Sequence, residues 1–248
     1  MDYKYQMAKQ YYAQKEYYKA QPLFDELINF YKGTKNVEDV YYYDAYSYFG
    51  EGEYIMAQYS FKNFVTTYPA NPNAEDCAFQ EAYCYYKLSP KYELDQDYTN
   101  KAIQEFQLFT NQYPNSSKVD QANQLIDQLR TKLQIKEYAA ARQYYNLESY
   151  KAAATAYRDF LNDYPETPNA ELSNFMILKS DYLYAANSID KKKKERFSIV
   201  IDAYNDFIKK YKDSRYNKES QKIYQVAFDY MNNTTSKNVK KVKIKNDE

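Results

Sequence analysis

The side chains that most often catalyse reactions or bind metal ions are scarce in this sequence. No histidine occurs among its 248 residues, which removes the commonest general base, zinc ligand and pH-sensitive group. Glycine occurs only at positions 33, 50 and 52, an arrangement that cannot form a glycine-rich phosphate-binding loop. No CxxC, HExxH or EF-hand spacing is present. The sequence therefore predicts a protein that is not an enzyme and binds no cofactor.

Two pairs of residues keep some capacity for chemistry. Cys77 and Cys84 lie in a segment predicted to be helical, about 10 Å apart along its axis, which is too far for a disulfide. We expect both to be buried as small apolar side chains. Asp95 and Asp97 could together bind a cation weakly, but a solvated turn is the favoured interpretation. No metal site is therefore predicted.

Charge gives little indication of a nucleic-acid or membrane partner. The 34 Lys and Arg residues balance 34 Asp and Glu, so the chain has no overall attraction for nucleic acid. No run of about 18 apolar residues indicates a transmembrane helix. The run Lys191 to Lys194 is expected to be a solvated basic turn that opens a helix rather than a site for an anionic partner, and residues 232–248 are expected to form a disordered basic tail.

Tyrosine is the unusual component, with 34 copies beside 13 Phe and no Trp. One pattern occurs three times: a small residue is followed by aromatic rings at offsets 4 and 7, by Tyr at offset 11 and by Pro at offset 12. Two weaker copies lack the proline. The copies are Ala57, Phe61, Phe64, Tyr68 and Pro69; Ala102, Phe106, Phe109, Tyr113 and Pro114; Ala153, Tyr157, Phe160, Tyr164 and Pro165; Ala20, Phe24, Leu27 and Tyr31; and Val200, Tyr204, Phe207 and Tyr211.

These offsets place the residues on one face of an α-helix that ends at the proline. A second small residue lies upstream of each copy, at Ala8, Ala45, Ala82, Ala141 and Ser180, and facing small residues let two helices approach closely. The pattern resembles the tetratricopeptide repeat, a helix pair of about 34 residues. The predicted fold is all-α: a superhelical solenoid of five such pairs with a C-terminal capping helix.

One connection is too long to be a loop. Residues 116–146 contain no Gly or Pro, and apolar side chains recur every three or four positions, which predicts a single long helix that joins the third and fourth repeats. The predicted organisation is an N-terminal half of three repeats in residues 2–146 and a C-terminal half of two repeats and the cap in residues 135–231, with the long helix shared between them.

Aromatic side chains also occupy positions that should face the concave groove. In repeats of this type the first helix lines that groove, and eleven of the fifteen positions expected to point inward are Tyr or Phe. Core packing explains any one of these rings, but a ladder of rings favours a groove that binds an extended peptide through side-chain contacts. The predicted groove residues are Tyr5, Tyr12, Tyr42, Tyr46, Phe49, Phe79, Tyr83 and Tyr86.

Longer segments resemble one family over nearly the whole chain, from residue 3 to about residue 230. They include "YKYQMAKQYYAQKEYYKAQPLFDELI", "YSFKNFVTTYP", "YRDFLNDYPETPNAELSNFMILKSDY" and, as the most diagnostic part, the "YPNS" that precedes a long helix running into "KEYAAARQYY". The family is the outer-membrane β-barrel assembly lipoprotein called BamD (YfiO/ComL type), in particular its Bacteroidota versions.

The resemblance implies a scaffold on the periplasmic face of the outer membrane. It implies docking of the C-terminal half on the periplasmic domains of the barrel-forming assembly subunit, and receipt of unfolded outer-membrane protein clients in the N-terminal groove. Candidate docking residues are Tyr138, Arg142, Tyr145, Arg158, Asp159 and Asp163. The family is held to the membrane by an N-terminal acylated cysteine after a signal peptide; neither occurs here, and Met1 is expected to replace them.

Two other functions fit the repeat pattern. Carbohydrate-binding lipoproteins of the nutrient-uptake type also use these repeats, and tyrosines can stack on sugars, although the lack of Trp and the short chain argue against that function. A generic peptide-binding repeat adaptor is the other alternative.

Overall fold

The computed structural model describes residues 2–232. Within this range every regular element is an α-helix, and the helices number eleven. They are α1 (Asp2–Ala13), α2 (Tyr17–Tyr31), α3 (Val37–Glu51), α4 (Tyr54–Thr67), α5 (Ala74–Leu88), α6 (Asp97–Gln112), α7 (Val119–Asn146), α8 (Tyr150–Asp163), α9 (Ala170–Ala186), α10 (Asp190–Lys210) and α11 (Asn217–Asn232). The predicted all-α class is confirmed. The tail predicted to be disordered lies, from residue 233 onward, outside the described residues.

The chain divides into two compact units, an N-terminal unit of Met1–Leu133 and a C-terminal unit of Gln134–Glu248. The long helix α7 runs without interruption from Val119 to Asn146 and contains this boundary. In the N-terminal unit, consecutive helices from α1 to α6 pack on each other, and α6 also packs on the first half of α7. In the C-terminal unit, consecutive helices from α8 to α11 pack in the same way. The succession gives five helix pairs followed by α11, as in a tetratricopeptide-repeat solenoid.

The small residues of the repeat lie where paired helices meet. Each is 0% exposed: Ala8, Ala45, Ala82, Ala141 and Ser180 in the first helices, and Ala20, Ala57, Ala102, Ala153 and Val200 in the second helices. In the first four repeats, the ring four positions after the small residue of the second helix fills the core beside it. In the fifth repeat the corresponding ring, Tyr204, is only half-buried and stacks on Tyr224 at a centroid distance of 4.4 Å. Close approach of helices through small residues, with rings filling the adjacent space, is thus the packing rule of both units.

The Tyr-Pro element ends the second helix of a repeat in a uniform way. The backbone N–H of Tyr68 donates to the carbonyl of Phe64 at 2.8 Å, and the Tyr68 backbone then turns to φ −125° and ψ 57°. The same ending occurs at Tyr113, Tyr164 and Tyr211. At each end the tyrosine ring packs 5.4–5.5 Å from the ring of the phenylalanine four positions earlier. Where proline follows, it prevents the helix from continuing.

The turns inside three repeats use a left-handed backbone conformation. Its φ angles are 59° at Lys15, 82° at Gly52 and 57° at Glu148. Only glycine adopts this conformation without steric cost. Two of the three turns are therefore built with strained residues.

The remaining residues singled out from the sequence have structural surroundings. Cys77 and Cys84 are buried and do not form a disulfide with each other. The Asp95 side chain accepts a hydrogen bond of 2.9 Å from the backbone N–H of Asp97, which begins α6. Among residues 2–232 no cluster of three or more Cys, Asp or Glu side chains is placed to hold a metal ion. No helix in the described range has both the length and the apolarity needed to cross a bilayer.

Candidate peptide-binding groove

The predicted groove residues of α3 and α5 form a continuous series of ring contacts. On α3, Tyr46 contacts Tyr42 at a centroid distance of 4.8 Å and Phe49 at 6.4 Å. On α5, Tyr83 is stacked with Phe79 at 6.1 Å and with Tyr86 at 5.5 Å. This follows from the spacing of three and four residues, which places such side chains on one helix face.

The series continues from one repeat to the next. Phe49 of α3 lies 6.0 Å from Tyr83 of α5. On the other side, Tyr12 of α1 packs edge-on against Tyr43 at 5.0 Å, and Tyr43 contacts Tyr42 at 5.5 Å. Tyr5 joins through the ammonium group of Lys9, which lies 5.4 Å from the Tyr5 ring and 5.0 Å from the Tyr43 ring.

The eight predicted groove residues, hereafter the aromatic strip, therefore belong to one connected set of side chains across three repeats, with Lys9 and Tyr43 completing the links, and seven of the eight are half-buried. Phe79 differs from the rest because it is 4% exposed and packs on Phe106 and Phe109 in the core. Its ring supports the strip from beneath and offers no surface to a ligand.

Asp76 on α5 holds the strip to its neighbours and was missed at the sequence level. Its carboxylate accepts hydrogen bonds from the hydroxyls of Tyr42, at 3.3 Å, and of Tyr46, and it forms an ion pair with Lys118 in the turn before α7. Lys118 in turn lies 5.0 Å from the centroid of the Phe79 ring. The only sequence signal for Asp76 is its position three residues before Phe79, on the same helix face.

These contacts fix the protonation state of the strip. Burial, together with the Asp76 carboxylate, raises the pKa of the Tyr42 and Tyr46 hydroxyls well above the usual tyrosine range. Burial likewise raises the pKa of Tyr12 to about 12. The hydroxyl of Tyr86 donates to Gln128 at 3.1 Å. The hydroxyls of Tyr42, Tyr46 and Tyr86 already donate their protons within the protein, so they are not free to donate to the backbone of a ligand.

The six candidate docking residues lie in different surroundings in the C-terminal unit. Tyr138 packs on Tyr157 at 6.0 Å and on Phe160 at 5.5 Å, so its ring belongs to the core of the fourth repeat. Tyr145 is half-buried against Tyr150 at 5.7 Å. Arg142 is exposed.

The three docking candidates on α8 also differ from one another. Arg158 forms an ion pair with the buried Asp181 on α9, so it links two helices of the same unit. Burial raises the pKa of Asp181 above its usual value, although Arg158 acts in the opposite direction. Asp159 and Asp163 are exposed and remain open to a partner.

Two buried carboxyl groups, also missed at the sequence level, occupy equivalent positions in the second and third repeats. Asp44 precedes Ala45 and Glu81 precedes Ala82, and both are buried. Burial and the nearby Asp25 raise the pKa of Asp44 to about 8. Burial and Glu105 raise the pKa of Glu81 to about 7, against the opposing effect of Lys62. Neither position shows a sequence signal, because charged residues at helical positions are usually solvated.

Comparison with known proteins assigns the chain to a family. The sequence model of the family described as YfiO, outer membrane lipoprotein, matches residues 1–196. The chain belongs to the YfiO family. The matched range includes the whole aromatic strip and all six docking candidates of this YfiO protein. No curated protein sequence matches the chain.

Solved structures similar to this YfiO protein include two from eukaryotes. The complex of the TPR2AB domain of yeast Sti1 with pHSP90 is 13% identical and covers 92% of this chain and 98% of its own, with a TM-score of 0.44. The human IFIT1 dimer with PPP-AAAA is 14% identical and covers 89% of this chain and 58% of its own, with a TM-score of 0.25.

Proposed function

We propose that this protein is a non-catalytic scaffold of outer-membrane β-barrel assembly, and that its aromatic strip binds extended apolar segments of unfolded outer-membrane protein clients. The observation that carries the proposal is the continuity of half-buried rings across three repeats. Membership of a family of outer membrane lipoproteins supports a role at the outer membrane. Large aromatic rings at a surface are typical of protein-binding sites.

The strip binds mainly through ring faces. Each apolar side chain of a client that is buried against it would contribute about 1.5 to 3 kcal/mol. Two or three such contacts, less the ordering cost of association, give dissociation constants on the order of micromolar. Because residues 2–232 contain no strand, a client segment cannot be held there by strand addition.

A peptide titration tests the strip. Tyr83→Ala should weaken the binding of an aromatic-rich barrel-precursor peptide at least about tenfold, measured by amide NMR shifts or tyrosine fluorescence. Tyr46→Phe keeps the ring and loses only the hydrogen bond to Asp76, so it should bind almost as tightly as the unmodified protein. Tyr59→Ala is the matched control, since Tyr59 is 65% exposed on α4 and outside the strip. Equal losses for Tyr83→Ala and Tyr59→Ala would contradict the assignment.

The second part of the proposal is docking of the C-terminal unit on the periplasmic domains of the barrel-forming subunit. Asp159 and Asp163 are the exposed acids of α8. Asp163→Lys in the full chain should reduce co-purification with those domains, whereas Asp202→Lys, at an exposed position on α10, should not. Unchanged co-purification of both Asp159→Lys and Asp163→Lys would remove α8 from the docking surface.

The third part concerns attachment to the membrane. We propose that an N-terminal lipid anchor holds the protein at the periplasmic face of the outer membrane, as the lipoprotein description of its family supports. The product of the complete gene should incorporate radioactive palmitate and fractionate with outer membranes. Absence of label would contradict this part alone.

A further inference from the structure

A cleft of about 910 Å³ opens in the C-terminal unit, and its lining shares no residue with the aromatic strip. The end of α7, the start of α8, the end of α9 and the first turns of α10 line it. Three tyrosines, Tyr144, Tyr150 and Tyr184, form part of its wall. Its volume lies within the range of specific ligand sites in proteins, about 300 to 1,000 Å³. Of the residues discussed above as docking candidates, only Asp159 lines this cleft.

Arg196 is the side chain in the cleft that is best prepared to bind an anion. Its guanidinium carbon lies 3.9 Å from the centroid of the Tyr184 ring, and its Nη1 donates a hydrogen bond to Ser188. The Ser188 hydroxyl is itself bound to the carbonyl of Tyr184. No carboxylate among residues 2–232 forms an ion pair with Arg196. The guanidinium is therefore held in place with donors left for a ligand, a state that lowers the ordering cost of binding.

Charge is unevenly distributed around the cleft. The helix α10 opens with Asp190 and four consecutive lysines, and the carboxylates at positions 190 and 195 pair with two of those lysines. Lys191 and Lys194 form no ion pair within the described part of the chain, so the α10 side carries excess positive charge together with Arg196. The part of the lining that comes from α8 and the loop before it carries Glu148, Lys151 and Asp159. A carboxylate on a ligand is thus favoured on the α10 side only.

Large apolar side chains flank the cleft in the two loops that border it. Leu147 is 65% exposed and Ile189 is 71% exposed, and each is adjacent in sequence to a residue that lines the cleft. Tyr144 in the wall is 45% exposed. Exposed apolar residues around a concavity that contains aromatic rings and an arginine are typical of sites that bind a protein segment.

We propose that this cleft binds a peptide segment of a protein partner in which an aromatic side chain is adjacent to a carboxylate. The aromatic ring enters between the tyrosines, and the carboxylate binds the guanidinium of Arg196. The cleft would be a second binding site with no residue in common with the aromatic strip. This proposal does not require that clients bind the aromatic strip. A lipid headgroup would supply an anion but no ring to fill the concavity, so a protein segment is favoured.

Fluorescence anisotropy with two labelled decapeptides tests this inference. One peptide contains Phe-Glu-Phe-Asp between Gly-Ser spacers, and the other contains Phe-Gln-Phe-Asn. The acidic peptide should bind at least about tenfold more tightly, and Arg196→Gln should remove that preference. Arg215→Gln is the matched control, because Arg215 also lies over a tyrosine ring, 4.7 Å from the centroid of Tyr216, and does not line the cleft.

A second variant keeps the test decisive if Arg196→Gln is unstable. Thr155 is exposed and lines the cleft, so Thr155→Glu should fold normally and reduce binding of the acidic peptide at least about fivefold through charge and bulk. Circular dichroism checks the fold of each variant. The inference is overturned if the two peptides bind equally, if Thr155→Glu and Arg215→Gln behave alike, or if phosphatidylglycerol vesicles bind through Arg196 while the peptide does not. Tyr83→Ala should leave this binding unchanged, which separates the result from that of the aromatic strip.

Discussion

Replacing the buried Asp44 by asparagine should make the protein more stable at neutral pH. Asp44 on α3 is 4% exposed, its Oδ1 has no hydrogen-bond partner within the described chain, and Asp25 on α2 is close enough to repel it. Its pKa is about 8 in the folded protein, against an ordinary value of 3.8. Between these two values the folded protein holds Asp44 protonated, while the unfolded chain releases the proton.

The sign of the pH dependence follows from this difference. Because the folded state binds the extra proton, each pH unit between about 4 and 8 lowers the free energy of unfolding by about 1.4 kcal/mol. The change from pH 5 to pH 7 is therefore about 2 to 3 kcal/mol. Asp44→Asn removes this contribution and keeps the shape of the side chain. The change that Asp44→Asn makes to the free energy of unfolding should be about 2 to 3 kcal/mol more favourable at pH 7 than at pH 5. The cost of burying the amide is the same at both pH values and cancels in this comparison.

Urea denaturation followed by circular dichroism at pH 5, 6, 7 and 8 measures the effect. Glu81 adds a slope of the same sign between about pH 4.5 and pH 7, so the quantity to compare is the difference between the unmodified protein and the variant. Asp206→Asn, at an exposed position on α10, is the control and should leave the slope unchanged. If the stabilities of Asp44→Asn and the unmodified protein fall in parallel from pH 5 to pH 8, the argument from burial is wrong.

Three further predictions concern the turn, the strip and the helix link. Both Glu148 and Gly52 have positive φ. Glu148→Gly should therefore raise the free energy of unfolding by up to about 1 kcal/mol, and Gly52→Ala should lower it by about 1 to 2 kcal/mol. Calorimetry that shows the opposite order of melting temperatures would contradict this. Asp76→Ala should cost about 2 to 3 kcal/mol in urea denaturation, since two hydroxyls and an ammonium lose their partner, and a loss below about 0.5 kcal/mol would refute it. Arg158→Ala should cost about 1 to 3 kcal/mol because Asp181 stays buried without its ion-pair partner, and restoration by Arg158→Lys would show that charge is the cause.

The helical repeats could be predicted from the sequence because their signals are local. Offsets such as that from Ala57 to Phe61 place residues on one face of one helix, and the same face is buried in every repeat. The contacts of the aromatic strip within α3 and within α5 follow from the same spacing. The burial of Phe79 does not, because it depends on Phe106 and Phe109 of the next helix.

The rest of the site depends on contacts between residues far apart in the sequence. Asp76 bonds to Tyr46 thirty positions earlier and to Lys118 forty-two positions later, and no periodicity within one helix encodes such a set. The cleft around Arg196 combines four helices and two loops, and its residues follow no repeat. Ion pairing inside α10 could be predicted from the spacing of its charges; the pairing of Arg158 with Asp181 could not.

We expect the tyrosines of this chain to have two separate uses, only one of which concerns binding. Several tyrosines cover the core with their rings while their hydroxyls join neighbouring helices: Tyr31 donates to Asp2 at 3.0 Å, and Tyr164 donates to Glu137 at 3.1 Å. Phenylalanine would leave such carboxylates without that partner, so the polar tip is part of the fold. Tyr46 uses its hydroxyl in the same way, yet its ring also belongs to the strip. A change to phenylalanine should therefore mainly lower stability, and only removal of a ring from the strip should lower peptide affinity. Measuring stability and peptide affinity for both Tyr46→Phe and Tyr46→Ala separates the structural use of tyrosine from its proposed use in recognition.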